Sequence, residues 1–366
     1  MTATDAKLIG LHAEVYDFPT PEPESDGTLT WTSTTAVVVH AEAGGEQGLG
    51  WTYSSPAATS VIDAQLTDAV SGRDAFDVPG SWEAMVRACR NLGRPGIVSA
   101  AIAAVDIALW DLKARLLGVA LHDLFGRARD SVPVYGSGGF TSMTDDQLRD
   151  QVAGWLDAGC TAVKIKVGEN WGSEVVRDLH RVALLKTLVP DGTTVMVDAN
   201  GGYTPGQAVR VGTTFDALGV TWFEEPVSSD DLNGLARLRT QLRCDIAAGE
   251  YADSAHYVQR MCAAGAVDCL QVDVTRCGGY TEWLRCAGIA ASYGLQISAH
   301  CAPSLHAPVA AAVPNLRHVE WFADHAALEP LLVDGLPRVR HGALTLTEAP
   351  GHGMTLASGA ERYRVA

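Results

Sequence analysis

The chain has 366 residues, 47% of them hydrophobic, and its 43 acidic against 27 basic residues give a net charge of −16. That length exceeds the roughly 250 residues of a single (β/α)₈ barrel and calls for a second structural part. The acidic balance argues against nucleic acid or an anionic membrane as partner, since both need a basic surface, and a small anionic substrate would need local positive charge from a metal or from lysines.

In chain order, residues 7–16 (KLIGLHAEVY) and 34–43 (TTAVVVHAEA) read as strands rich in β-branched residues. Between them, residues 18–31 (FPTPEPESDGTLTW) carry three prolines and three acids, so residues 18–33 are expected to form an irregular, mobile loop. From Ser99 to Leu117 the sequence is strongly helical. Ile102, Val105, Leu109, Leu112 and Leu116 recur at spacings of three and four, which predicts one core-facing side, and Gly118 supplies a stop. Near Asp130 the pattern changes to βα units: a strand over 132–135, then a helix over 144–157 with a Thr or Asp cap. The alternation continues to about Phe322. Beyond it the short β-like runs LLVDG and LTLTE predict a tail that returns to the first domain. The expected organisation is an α+β capping domain over 1–128, a barrel over 129–325 and a returning C-terminal segment over 326–366.

The opening MTATDAKLIG lacks the basic and apolar regions of a signal peptide, and no run of eighteen apolar residues exists, so a cytoplasmic location is expected. Eight cysteines without a CxxC pair read as reduced, mostly buried thiols, with Cys301 set apart by its place beside His300.

Seven ionisable residues recur through the second half: Lys166, Asp198, Glu224, Glu250, Asp273, His300 and Glu320. By subtraction they lie 32, 26, 26, 23, 27 and 20 residues apart, close to one strand, loop, helix and loop. Most of them close a short apolar run, as in Val195-Met196-Val197 before Asp198 and Trp222-Phe223 before Glu224. One polar residue at each strand C-terminus describes the mouth of a (β/α)-barrel of the TIM type, where such folds carry their chemistry.

Asp198, Glu224 and Glu250 would repel one another in an apolar-walled mouth unless a cation neutralised them, and an all-oxygen set favours Mg²⁺. Lys164 and Lys166 lie two apart in a strand, so both ammonium groups enter the site from one face. Mutual repulsion and a nearby metal are expected to depress their pKa values and make one of them a general base. Asp273 and His300 end successive strands, so the carboxylate can orient the imidazole as a second proton-transfer group. Glu320 is expected to donate a hydrogen bond if crowding by other acids keeps it protonated.

The KIK motif at 164–166, VDAN at 197–200, FEEP at 223–226, GE at 249–250, the DVTRCGG run at 273–279 and SAH at 298–300 closely resemble the enolase superfamily, and more narrowly its mandelate racemase subgroup. Residues 101–126 are similar to that superfamily's N-terminal helical signature, so the likeness covers nearly the whole chain. The resemblance implies a modified TIM-like barrel with an α+β cap completed by the tail. It implies Asp198, Glu224 and Glu250 as Mg²⁺ ligands, Lys166 as general base with Lys164 assisting, and His300 oriented by Asp273 as the second acid or base. It further implies Glu320 at the substrate carboxylate and Asn200 and Arg276 lining the site. The implied half-reaction is removal of the proton α to a carboxylate, giving an enediolate.

The outcome beyond that intermediate is expected to lie with the cap loops, residues 18–33 and Trp51–Pro56, with Trp51 and Tyr53 as substrate contacts. Glu22, Glu24, Asp26, the threonines at 28, 30 and 32, Ser54 and Ser55 suit a polyhydroxylated substrate, which favours an acid-sugar dehydratase forming a 2-keto-3-deoxy acid. A racemase or epimerase of a 2-hydroxy acid and a cycloisomerase of a sugar acid or lactone are the alternatives. A barrel that binds a sugar acid without turnover stays open as a second alternative; its signature would be a lost ligand or base, and none is lost. A metal-dependent hydrolase would show an HxH pair in residues 132–139, which hold no histidine. A homo-oligomer is expected.

Overall fold

The computed structural model describes residues 6–365. Met1–Asp5, the start of the stretch weighed above as a leader, lie outside the described residues, as does Ala366.

β1 (Gly10–Ser25), β2 (Thr30–Ala43) and β3 (Glu46–Tyr53) form an antiparallel sheet in that order. The segment 18–33, expected to be irregular, is therefore largely strand. Its prolines fall on β1, an edge strand where a missing N–H breaks few ladder bonds, and pairing with β2 is interrupted between Pro19 and Glu24. Asp26 closes the turn, its carboxylate accepting from the backbone N–H groups of Thr28 at 2.6 Å and Leu29 at 2.7 Å.

The helix Ile97–Leu117 ends at Gly118 in the left-handed conformation, as its sequence predicts. It is buried on nearly every side rather than on one. One side lies on the cap sheet, so closely that a Cβ on Gly48 would stand 2.2 Å from the Ala108 carbonyl and one on Gly50 2.3 Å from that of Ala104. Another side meets the barrel: Asp106 accepts from the Thr281 backbone N–H at 2.9 Å and hydroxyl at 2.6 Å. A helix wedged between two bodies needs apolar residues all round.

Eight parallel strands follow: β4 (Ser131–Gly138), β5 (Ala162–Lys166), β6 (Thr194–Asp198), β7 (Val220–Glu224), β8 (Asp245–Ala248), β9 (Cys269–Val272), β10 (Gln296–Ala299) and β11 (Leu316–Phe322). Pairing of β11 with β4 closes them into a barrel. Tyr135, Met196, Trp222, Ala247 and Cys269 pack together inside it, so the interior is solid and the chemistry is confined to the strand ends.

In the tail, β12 (Val333–Asp334) pairs with β15 (Thr355–Leu356), and β13 (Val339–Arg340) with β14 (Ala343–Thr345). β14 first adds antiparallel to β4 of the barrel. The chain then reaches the cap, where His352 Nε2 bonds the Leu49 carbonyl at 2.8 Å and the Val365 N–H donates to Val15 at 2.8 Å. All eight cysteines are free and buried. No helix among the described residues is long and apolar enough to cross a membrane.

Candidate active site

Strand register places the first group. Lys166 pairs with Asp198 across β5 and β6, and Asp198 with Glu224 across β6 and β7, so three side chains form one layer at the barrel mouth. Glu250 lies two residues past the end of β8, and oxygens of Asp198, Glu224 and Glu250 come within 4.8 Å of one another.

The backbone beyond the strands is held in unusual conformations. Asn200, Glu225, Cys301 and Ala302 all have positive φ, between 37° and 49°, and none is glycine. Such conformations cost on the order of 1–3 kcal/mol each and persist where the surroundings impose them. Here the Gly201 N–H donates to the Glu225 carbonyl and the Ala302 N–H to His325 Nδ1.

Lys164 Nζ reaches both oxygens of Glu224, at 2.6 and 2.7 Å, and Glu320 Oε1 at 2.9 Å, while Lys166 Nζ lies 2.5 Å from Asp198 Oδ2. These pairings reverse the expected depression of the lysines. Burial works to lower each ammonium, but the adjoining carboxylates outweigh it and hold both above the ordinary lysine value.

The charge balance favours a further cation. Six buried acids (Asp198, Glu224, Glu225, Glu250, Asp273 and Glu320) face three permanent cations (Lys164, Lys166 and Arg276), an excess of three negative charges. Burial first, and neighbouring acids in addition, push Glu224 and Glu225 well above the usual carboxylate range. Glu225 Oε1 and Glu250 Oε2 are buried without a hydrogen-bond partner. A divalent, oxygen-seeking ion among Asp198, Glu224 and Glu250 fits these observations. His300, Cys301 and Glu320 also approach within 4.8 Å. That trio offers an imidazole and a thiol in place of oxygens, so it is the poorer site for a hard, oxygen-seeking ion.

His300 Nδ1 lies 2.8 Å from Asp273 Oδ2, and Asp273 also accepts from the Thr275 backbone N–H and hydroxyl, each at 2.7 Å. Burial alone would raise Asp273, but the His300 bond and charge hold it well below the usual carboxylate range. Nδ1 therefore carries the donated hydrogen, and Nε2, 3.3 Å from Cys301 Sγ and 3.5 Å from Glu250 Oε2, is the nitrogen on the cavity side.

Glu320 departs from expectation. It accepts from the Ser137 hydroxyl at 2.6 Å and the Cys301 N–H at 2.8 Å, and the charges of Lys164, His300 and Lys166 overcome its burial to hold it well below the usual carboxylate range. In this arrangement it is an ionised acceptor rather than a donor.

Lys166, Glu250, Asn200, Arg276 and His300 line a cavity of about 390 Å³, closed from the cap side by Asp26, Trp31, Thr34, Tyr53 and Ser54. Arg276 pairs with Glu250 at 3.0 Å and approaches Asp273 at 3.6 Å. Tyr53 lies over His325 with ring centroids 3.8 Å apart. Trp51, expected at the site, lines no part of it. It is fully buried and packs edge-on against His352, because residue 51 shares the face of Tyr53 but lies deeper under the returning tail. A second cavity of about 840 Å³ shares Leu29, Tyr53, Ser54, Asn200, Tyr251 and Arg276 with the first.

The cap reaches the mouth through Gly27. A Cβ there would stand 2.6 Å from the Val167 carbonyl and 2.7 Å from that of Ala199, and the Gly27 carbonyl accepts from the Trp171 N–H at 2.9 Å. Gly27, Ser137, Tyr251, Asp324 and His325 escape sequence reasoning. Asp324 and His325 carried a usable signal, since they lie two and three residues past the end of β11.

An N-terminal domain of the mandelate racemase/muconate lactonizing enzyme type matches residues 13–126, and an enolase C-terminal domain-like model matches residues 147–360. The chain belongs to the mandelate racemase/muconate lactonizing enzyme family of the enolase superfamily. Within that family, a mandelate racemase/muconate lactonizing enzyme-like protein from Rubrobacter xylanophilus is 44% identical, with a TM-score of 0.94 over 98% of this chain and 100% of its own. L-talarate/galactarate dehydratase from Salmonella typhimurium is 32% identical over 87% of this chain and 79% of its own, and its structure with Mg and L-lyxarohydroxamate superposes with a TM-score of 0.92. A 3,6-anhydro-alpha-L-galactonate cycloisomerase from Streptomyces coelicolor is 31% identical over 94% and 96% of the two chains. Mg²⁺ is the cofactor consistent with this family and with the acid trio described above.

Proposed function

We propose that this enzyme removes the proton α to the carboxylate of an acid sugar and expels the β-hydroxyl, yielding a 2-keto-3-deoxy acid. One observation supports this most directly: a lysine and a carboxylate-oriented histidine, Lys166 and His300, line one cavity beside a trio of oxygen ligands. Asp198, Glu224 and Glu250 would hold Mg²⁺, which when bound supplies Lewis-acid polarisation of the substrate carboxylate.

Lys166, neutral once relieved of its ion pair, takes the α-proton. Lys164, fixed beneath it, places positive charge next to the developing enediolate, which is where fixed charge contributes most to rate. His300, entering this step protonated on both ring nitrogens, gives the Nε2 proton to the leaving hydroxyl, which departs as water and leaves the neutral ring with its hydrogen on Nδ1. Tautomerisation of the resulting enol completes the 2-keto acid. Asp273, facing Nδ1, stabilises the doubly protonated ring that this step needs, and Asn200, Arg276 and Tyr53 shape the substrate's surroundings.

Cycloisomerisation is the second reading, favoured by the nearly full-length match to the Streptomyces enzyme. It uses the same α-proton chemistry with a different fate for the enediolate. The proposal extends to a cytoplasmic homo-oligomer without nucleic-acid or membrane partners, organised as a cap over 1–128, a barrel over 129–325 and a segment over 326–366. A panel of acid sugars incubated with enzyme and Mg²⁺ and assayed for 2-keto acid tests the dehydratase reading. A cyclised or epimerised product without 2-keto acid would replace it.

A further inference from the structure

The cap-side wall of the site cavity has a chemistry of its own. It is built by Trp31, Thr34 and Thr35 from β2, Tyr53 from β3, and Asp324 and His325 after β11. Asp324 is buried, 7% exposed, and accepts from the Thr34 hydroxyl at 2.7 Å. Behind Trp31 lies Glu24, which accepts the indole N–H at 3.0 Å. Burial, with Asp324 nearby, pushes Glu24 up to about 8, and burial likewise raises Asp324.

No permanent cation stands on this wall. His325 Nδ1 accepts the Ala302 N–H at 2.9 Å, which fixes an uncharged ring whose remaining nitrogen can only donate. Arg276 also borders the cavity, but Glu250 and Asp273 hold it at the reacting end. Arg260 belongs to the larger neighbouring cavity.

We propose that this wall selects a monocarboxylate: an acid sugar whose far end carries hydroxyls, or a ring, and not a second carboxylate. The inference rests on the acid-sugar reading above and deepens it. Sugar hydroxyls can both donate to Asp324 and accept from His325 and the threonines. A second carboxylate would meet Asp324 and no permanent cation to offset its desolvation, and an uncompensated charge of this kind discriminates strongly against a wrong partner. The chain is thereby set apart from a relative whose name specifies two diacids, talarate and galactarate.

The test compares hexonates and pentonates with the hexarates and pentarates of matched configuration, all with Mg²⁺. Wild-type kcat/KM is measured by 2-keto acid release, and affinity by calorimetry on Lys166→Ala, which does not consume the bound acid. The best aldonate should exceed its matched aldarate at least tenfold, about 1.4 kcal/mol, in both measurements. Asp324→Asn should narrow that ratio threefold or more. Equal or stronger use of the aldarate overturns the proposal, as does an unchanged ratio in a folded Asp324→Asn protein. Selective aldonate binding without turnover of any acid would sustain this inference and defeat the catalytic reading. Failure of every acid to bind would defeat both.

Discussion

Lys166 Nζ lies 2.5 Å from Asp198 Oδ2, so the proposed base is paired with a proposed metal ligand. The ammonium and a divalent cation compete for one carboxylate. Lys166→Ala is therefore expected to bind Mg²⁺ at least as tightly as wild type while losing about 10²–10⁴ in turnover. Calorimetry with Mg²⁺ and a steady-state assay check the two halves separately, and weaker Mg²⁺ binding in the variant would remove the competition.

Metal removal should act on folding as well as activity. EDTA is expected to abolish turnover reversibly, with Mg²⁺ restoring it. Because the ion binds the folded mouth and not the dispersed acids, saturation at about 100 Kd should stabilise the fold by roughly 2.7 kcal/mol. Glu250→Gln, which removes an acid with one unpartnered oxygen, should lose most of that gain. A melting temperature indifferent to Mg²⁺ would count against the acid trio as its site.

The roles of Lys166 and His300 can be separated. His300→Asn should stop loss of the β-hydroxyl yet leave exchange of the α-proton, because Lys166 is intact. Asp273→Asn should lower dehydration by about 10² or more through loss of the charge that stabilises the doubly protonated imidazole, again with exchange retained. Loss of exchange along with dehydration in both variants would show that the two steps are not divided between these residues.

A pH effect on stability follows from Glu329, which is buried, accepts from the Ser304 hydroxyl at 2.5 Å, and is pushed by burial from 4.5 up to about 7. A carboxyl whose pKa is raised by folding binds its proton more tightly in the native state. Its contribution is fully present below 4.5 and is lost as the pH rises through about 7. At 1.36 kcal/mol per pH unit, this loss amounts to about 3 kcal/mol at most. Urea unfolding at pH 4.5 and pH 8 should show a smaller difference in Glu329→Gln than in wild type. Equal differences would exclude Glu329 as the titrating group.

Much of the barrel was legible because its signal is local. Lys166, Asp198 and Glu224 are the last residues of their strands, and Asp273, His300 and Glu250 stand one, one and two residues past theirs, so the polar beat marked the strand ends closely. What was not legible depends on contacts between distant segments. The prolines of β1 suggested a loop because the pairing that tolerates them lies on β2. Trp51 looked like a site residue because its cover, His352, arrives from the far end of the chain. The lysines' raised affinity for protons and the ionised state of Glu320 arise from close pairing across strands, which spacing alone does not measure. Asp324 and His325 were overlooked although they sit where the strand-end pattern would place them.

The central claim is abstraction of an α-proton by Lys166, and solvent deuterium reports on it directly. NMR of an accepted acid sugar in D₂O with Mg²⁺ should show deuterium entering the α-position of the recovered substrate with wild-type enzyme, and exchange in Lys166→Ala should fall by about 10² or more. Wild-type-like exchange in Lys166→Ala, or 2-keto acid formed without breaking the α-carbon–hydrogen bond, would contradict the account.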